Sequence, residues 1–227
     1  MPYLTNVYVD AFNVYYGCTR NTPYRWLNLA RLCEIMLTNN TINRIKVFTG
    51  VVKSRPHDLQ QHIRQQIYFR ALRTIPNLSI IESTFLSHVR TFPRAEPNPD
   101  GSLEYVRVLY TQEKGADVNL ASHLLYDAFI NDYEMAVIIS NDSDLAEPVR
   151  IVRTLLKKKI GILNPQINKP EYRDEQGNID YRRVRTSHEL CRYANFCKPL
   201  TIEALRESQF PDELTDAKGT FHKPASW

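Results

Sequence analysis

The run Val137-Ile138-Ile139-Ser140-Asn141-Asp142-Ser143-Asp144-Leu145 constrains this chain more than any other stretch. Three β-branched apolar residues stop at a pair of carboxylates. A helical pattern of Leu145, Val149, Val152 and Leu156 begins straight after them. A parallel strand buried on both faces and feeding a helix has this profile. In such sheets ligand chemistry collects outside the carboxyl ends of the strands. Asp142 and Asp144 are therefore expected on a rim, close enough to share a cation.

The rest of the chain repeats the pattern. Val7-Tyr8-Val9 is β-prone and ends at Asp10, Ile45–Val52 reads as a second strand, and Leu78–Ile81 as a third. Glu134–Ser140 is the fourth and Lys159–Leu163 the fifth. Between them, residues 26–37 read as a largely buried helix, and a second helix is expected from Pro56, with Leu59, Ile63, Ile67 and Ala71 recurring every four residues. A third runs to about Ile130, with Asp117, Ala121, Leu124 and Ala128 on one inward stripe. Strands alternating with helices predict an α/β fold whose mainly parallel sheet is covered on both faces, a three-layer α/β/α sandwich. Residues 84–112 differ. Two β-prone flanks enclose a segment from Pro93 to Asp100-Gly101, which predicts a hairpin projecting from the sheet. Residues 164–185 form a polar loop that carries Arg182, Arg183 and Arg185. The expected organisation is one domain over 1–197, containing hairpin and loop, and an extension over 198–227 with Phe221 and Trp227 as anchors.

Composition excludes several classes. The 227 residues are 43% hydrophobic and 24% charged, the profile of an ordinary globular protein. A net charge of +4 permits a nucleic-acid partner without requiring one, since charge location matters more than the sum. The first residues lack a basic lead and a long apolar stretch, and no apolar run approaches the ~20 residues of a membrane span. A cytoplasmic location away from membranes is expected. Cys18, Cys33, Cys191 and Cys197 form no CxxC pair, so reduced thiols are expected in place of a zinc or dithiol site. The histidines form no HxH or HExxH pattern, and GxGxxG and GK[ST] loops are absent from the sequence.

Asp10, Asp117, Asp142 and Asp144 come from three segments, each at a strand's carboxyl end or a helix's first turn. Right-handed crossovers bring those places to one rim. Carboxylates crowded there repel unless cations stand between them, and their hard oxygens suit Mg²⁺ or Mn²⁺. Such ions ordinarily grip phosphates and activate water. Each aspartate alone also reads as a helix cap, Asp144 with Glu147 above all, whereas Asp10 precedes no clear helix in the sequence. Among their neighbours, Asn13 and Ser140 could orient a ligand or make local turns. Lys114 and the arginines 182, 183 and 185 could track a phosphate backbone or simply be solvated. A haloacid-dehalogenase-like phosphatase would need a second acid two residues after Asp10, where Phe12 stands.

VYVDAFN at 7–13, EKGADVNLA at 113–121 and ISNDSDLAEPVR at 139–150 resemble the three signature blocks of NYN-domain proteins, the LabA-like, PIN-like nucleases. The resemblance spans residues 4 to about 197. It implies a PIN-like sandwich and a ribonuclease that uses Mg²⁺ or Mn²⁺ on single-stranded or structured RNA. It carries the acidic positions onto Asp10, Asp117, Asp142 and Asp144, with Asn13, Lys114, Ser140 and Asn141 flanking them as substrate-binding residues. Asn141 stands where many members have glycine. A non-catalytic RNA- or protein-binding module on the same fold is the alternative, and a homodimer is compatible with either.

Overall fold

A computed structural model describes residues 1–52, 54, 58–96, 98–167 and 186–227. One sheet contains β1 (Tyr3–Asp10), β2 (Asn40–Gly50), β3 (Leu78–Pro93), β4 (Tyr105–Lys114), β5 (Met135–Ile139), β6 (Lys159–Asn164) and β7 (Phe196–Pro199). Their order is β4-β3-β2-β1-β5-β6-β7. Every neighbouring pair is parallel except β3 and β4. Helices cover both faces, giving the three-layer α/β/α sandwich that the alternation of strands and helices predicts.

The pleat divides the core. On β1 and β5, Val7, Val9, Val137 and Ile139 face one layer, made by α2 (Leu29–Met36), α3 (Gln61–Leu72) and α7 (Ile202–Glu207). Tyr8, Ala136 and Ile138 face the other, made by α4 (Ala116–Phe129), α5 (Ala146–Thr154) and α6 (His188–Cys191). A strand apolar at every position is therefore spent on two cores at once.

Four details depart from the sequence reading. The expected third strand continues to Pro93: Leu78–Ser83 pair with β2, and Thr84–Pro93 pair antiparallel with β4 as the expected hairpin. The inward stripe of α4 starts one residue earlier, at Ala116, and continues through Leu120, Leu124 and Ala128. The left-handed Gly115 (φ 109°) sets that phase and leaves Asp117 off the stripe. The periodic Leu59 and Ile63 are 66% and 48% exposed, because α3 buries its far end, Phe69, Ala71 and Leu72, instead; Pro56 lies outside the described residues. Cys191 and Cys197, expected as thiols, are joined in a disulfide between α6 and β7, whereas Cys18 and Cys33 are buried as thiols.

The 198–227 extension is ordered by side-chain anchors. β8 (Glu213–Asp216) and β9 (Gly219–His222) form a hairpin. Arg70 forks onto Asp216 at 2.7 and 2.8 Å and lies 4.1 Å above the Phe221 ring. Trp227 meets Trp26 and Tyr68 edge-on. Among the described residues, no helix is long and apolar enough to cross a membrane.

One buried ionic group was not legible in the sequence. Asp127, 3% exposed on the inward face of α4, accepts from the Tyr8 hydroxyl at 2.7 Å and from Lys46 Nζ at 2.6 Å. Burial pushes the Tyr8 hydroxyl's pKa up, which keeps it a donor. Asp127→Ala would leave Lys46 buried without its counter-charge, at a cost of about 3–5 kcal/mol. Glu34→Ala, which removes an exposed pair with Arg31, is expected to cost under about 1 kcal/mol. Urea denaturation compares the two, and equal losses would contradict the buried-pair account.

Candidate active site

From β1 the chain builds outward through β2, β3 and β4, then returns through α4 to β5 and builds outward the other way. The strand order thus reverses between β1 and β5, the place where open α/β sheets bind ligands. Asp10 is the last residue of β1. Asp142 follows β5 by three residues, and Asp117 opens the returning helix α4. One carboxylate oxygen from each of these three lies within 4.8 Å of the others.

Local hydrogen bonds aim the group. Asp10 is 5% exposed and caps α1 (Ala11–Val14). Its Oδ1 accepts from the Asn13 backbone N–H at 3.0 Å, and its Oδ2 from Asn13 Nδ2 at 2.6 Å and Ser140 Oγ at 2.9 Å. Asp10 therefore does precede a helix, but one whose single α turn runs straight into a π turn over Tyr15–Thr19, so its apolar positions follow no one helical period in the sequence. The Ser140 hydroxyl oxygen also accepts from the Asp142 backbone N–H at 3.1 Å, coupling the two carboxylate-bearing turns. Asp142, not Asp144, is the cap: its Oδ1 accepts from the Asp144 N–H at 3.0 Å, starting a 3₁₀ turn over Ser143–Leu145. Asn141 acts as a brace. Its N–H donates to Asn13 Oδ1 at 3.3 Å, and its Oδ1 accepts from the Ser187 N–H at 2.8 Å.

Crowding shows in the electrostatics. Burial raises the pKa of Asp10 against the hydrogen bonds from Asn13 and Ser140, and Asp142 adds to the rise. Asp117 is pushed up to about 6 by desolvation and then by Asp10, Asp142, Glu113 and Asp144. Asp144 is thus near enough to be felt but stands outside the tight triad, exposed. Lys114 ends β4 and is also exposed. Arg182, Arg183 and Arg185 lie outside the described residues. Glu113 was missed at the sequence level. Its Oε1 accepts from the Ala116 N–H at 2.9 Å, and the available signal was an acid just ahead of a helix start.

Three converging carboxylates offer only hard oxygen donors, and the mutual repulsion that raises Asp117 is what a divalent cation would relieve. The residues therefore fit Mg²⁺ or Mn²⁺. On the opposite face of the sheet, beside Val9 and Val47, a cavity of about 170 Å³ opens next to Ala11 and Phe12.

The raised pKa values carry a sign. A folded Asp117 holds its proton up to about pH 6, whereas the unfolded chain releases it near 3.8. The associated stability is present at low pH and lost as pH rises through about 6. Without divalent cation, Asp117→Asn is therefore expected to raise Tm at about pH 7.5 by roughly 2–4 °C. Mn²⁺ should raise the wild-type Tm at about pH 7.5 and raise it less at about pH 4.5, where Asp117 holds its proton. Thermal unfolding in the two buffers checks both, and no Mn²⁺ shift at the higher pH would remove the cation site.

Comparison with known proteins agrees with this architecture. Across its whole length the chain is 28% identical to 76% of a 6-hydroxy-3-succinoylpyridine 3-monooxygenase, HspA, from Pseudomonas putida. Its fold matches the crystal structure of a protein of unknown function from Vibrio parahaemolyticus with a TM-score of 0.52 at 15% identity, covering 92% of this chain and 97% of that one. The family model for the NYN domain matches residues 4–181, which include all three carboxylate-bearing segments. The chain belongs to the NYN domain family.

Proposed function

We propose that the chain is a metal-dependent ribonuclease that hydrolyses RNA phosphodiesters at the rim between β1 and β5. The observation that carries this is the convergence of Asp10, Asp117 and Asp142 within 4.8 Å, from three separate segments. Family membership supports it, because NYN domains are PIN-like nucleases. Asp10, Asp117 and Asp142 would hold Mg²⁺ or Mn²⁺, with Asp144 completing the acidic set. A bound ion supplies charge neutralisation at phosphorus and a more acidic water. The protein's own contribution is orientation. Asn13 and Ser140 fix the Asp10 carboxylate before any ligand arrives, and Ser140 ties its position to that of Asp142. Lys114 and the arginines at 182, 183 and 185 are assigned to the phosphates flanking the scissile one, where cations contribute affinity without sequence preference.

A second reading comes from the Pseudomonas putida relative, whose name describes oxygenation of a hydroxylated pyridine. The aromatic-walled cavity beside Phe12 favours it, because a small ring fits there and an RNA strand does not. Two assays separate the readings. Wild-type protein incubated with single-stranded RNA and Mn²⁺ is expected to cleave it, and Asp142→Asn to lose at least about 100-fold in rate, a loss of the size seen when a group stabilising transition-state charge is removed. Equal cleavage by both proteins would discard the ribonuclease assignment. Oxygen uptake that depends on 6-hydroxy-3-succinoylpyridine and an added two-electron reductant, without RNA cleavage, would put the oxygenase reading in its place.

A further inference from the structure

The cavity on the far side of β1 has a composition of its own. Its floor is Val9 and Val47, and Phe12, Tyr68, Phe69 and Trp227 stand around it. At about 170 Å³ it falls below the ~300–1,000 Å³ of sites for drug-sized molecules, so it suits a single or fused ring. Trp227 stacks edge-on against Trp26 at 6.2 Å and Tyr68 at 5.8 Å, so one wall belongs to an aromatic cluster and not to the sheet.

The charges that line this space are unequal. Arg64 is neutralised by its ion pair with Asp58. Arg25 also lines it and forms no ion pair among the described residues. Its Nη1 makes only a long contact, 3.4 Å, to the Ser226 carbonyl. A guanidinium stays charged at any ordinary pH and gains a partner when an acid enters beside it. A carboxylate is the acceptor whose geometry matches the guanidinium fork.

We propose that this cavity is a binding site for a small planar aromatic carboxylate, its ring held among Phe12, Tyr68 and Trp227 and its carboxylate paired with Arg25. The assignment rests on the cavity alone and stands whichever reaction the acidic rim performs.

Ligand-observed saturation-transfer NMR and calorimetry on the full chain test it, with benzoate, its neutral amide benzamide, and uridine as probes. Benzoate is expected to bind with a Kd on the order of 1 mM, as suits so small a ligand. Benzamide should bind about ten-fold more weakly, for want of the charge-assisted bond. Arg25→Gln should abolish that ten-fold preference and leave benzamide binding unchanged, while Trp227→Ala weakens both ligands. Circular dichroism and Tm establish that each variant is folded. The proposal is overturned by equal affinity for benzoate and benzamide, by a preference that survives Arg25→Gln, or by no binding of either ring. Tighter binding of uridine than of benzoate also overturns it and identifies the cavity as a nucleobase pocket. None of these outcomes depends on RNA cleavage, so failure here and failure of the ribonuclease reading are distinguishable.

Discussion

Like-charge repulsion at the end of the central strand is the constraint around which this molecule is arranged. Asp10 is almost fully buried beside Asp142 and Asp117, and none of the three has a cationic partner within the triad. Water cannot screen Asp10 there, so the protein compensates with dipoles. The first turn of α1, the Asn13 amide and the Ser140 hydroxyl all point at one carboxylate. That arrangement holds the acid in place without cancelling its charge, which is the condition a cation site needs.

The sheet makes the crowding achievable. β1 lies between β2 and β5, so its carboxyl end is flanked by two loops that run in opposite directions from the switch point. The all-apolar β5, buried at every residue, fixes the height at which Ser140 and Asp142 emerge. Two residues before Asp10 on the same strand, Tyr8 joins Lys46 and Asp127 in a second polar group inside the α4 layer. Its charge is paired, whereas among the described residues no cation pairs with the rim. The contrast separates a charge-paired acid from a crowded one within a single helix: Asp127 faces inward to Lys46, and Asp117, ten residues earlier, faces other carboxylates.

How much of this could be read from residues alone depended on range. Strands ending in aspartate were visible at 7–10 and 137–144 because a short apolar run meeting a carboxylate is a local signal. Their convergence followed from the topology that alternating elements impose. What escaped depended on contacts between distant segments. Asp127 meets Lys46 across 81 residues and Tyr8 across 119, and no periodicity announces either. The α4 stripe was right at Leu124 and Ala128 and one residue late at its start, where Ala116 and Leu120 take the inward places given to Asp117 and Ala121. Leu59 and Ile63 repeat like a buried face yet lie exposed, since period says which residues share a side and not whether anything covers it. The helical segment after Asp10 was invisible because its α turn passes into a π turn, so no single period runs through it.

The three hydrogen bonds to Asp10 also restrict how it can act. A carboxylate has about four lone-pair directions, two on each oxygen. Both on Oδ2 are occupied, by Asn13 Nδ2 and Ser140 Oγ, and one on Oδ1 is taken by the Asn13 N–H. A single direction on Oδ1 remains, so Asp10 can serve only as a monodentate ligand unless one of these bonds breaks. Any bidentate grip on an ion would fall to Asp117, Asp142 or Asp144, the acids whose side chains carry fewer such ties.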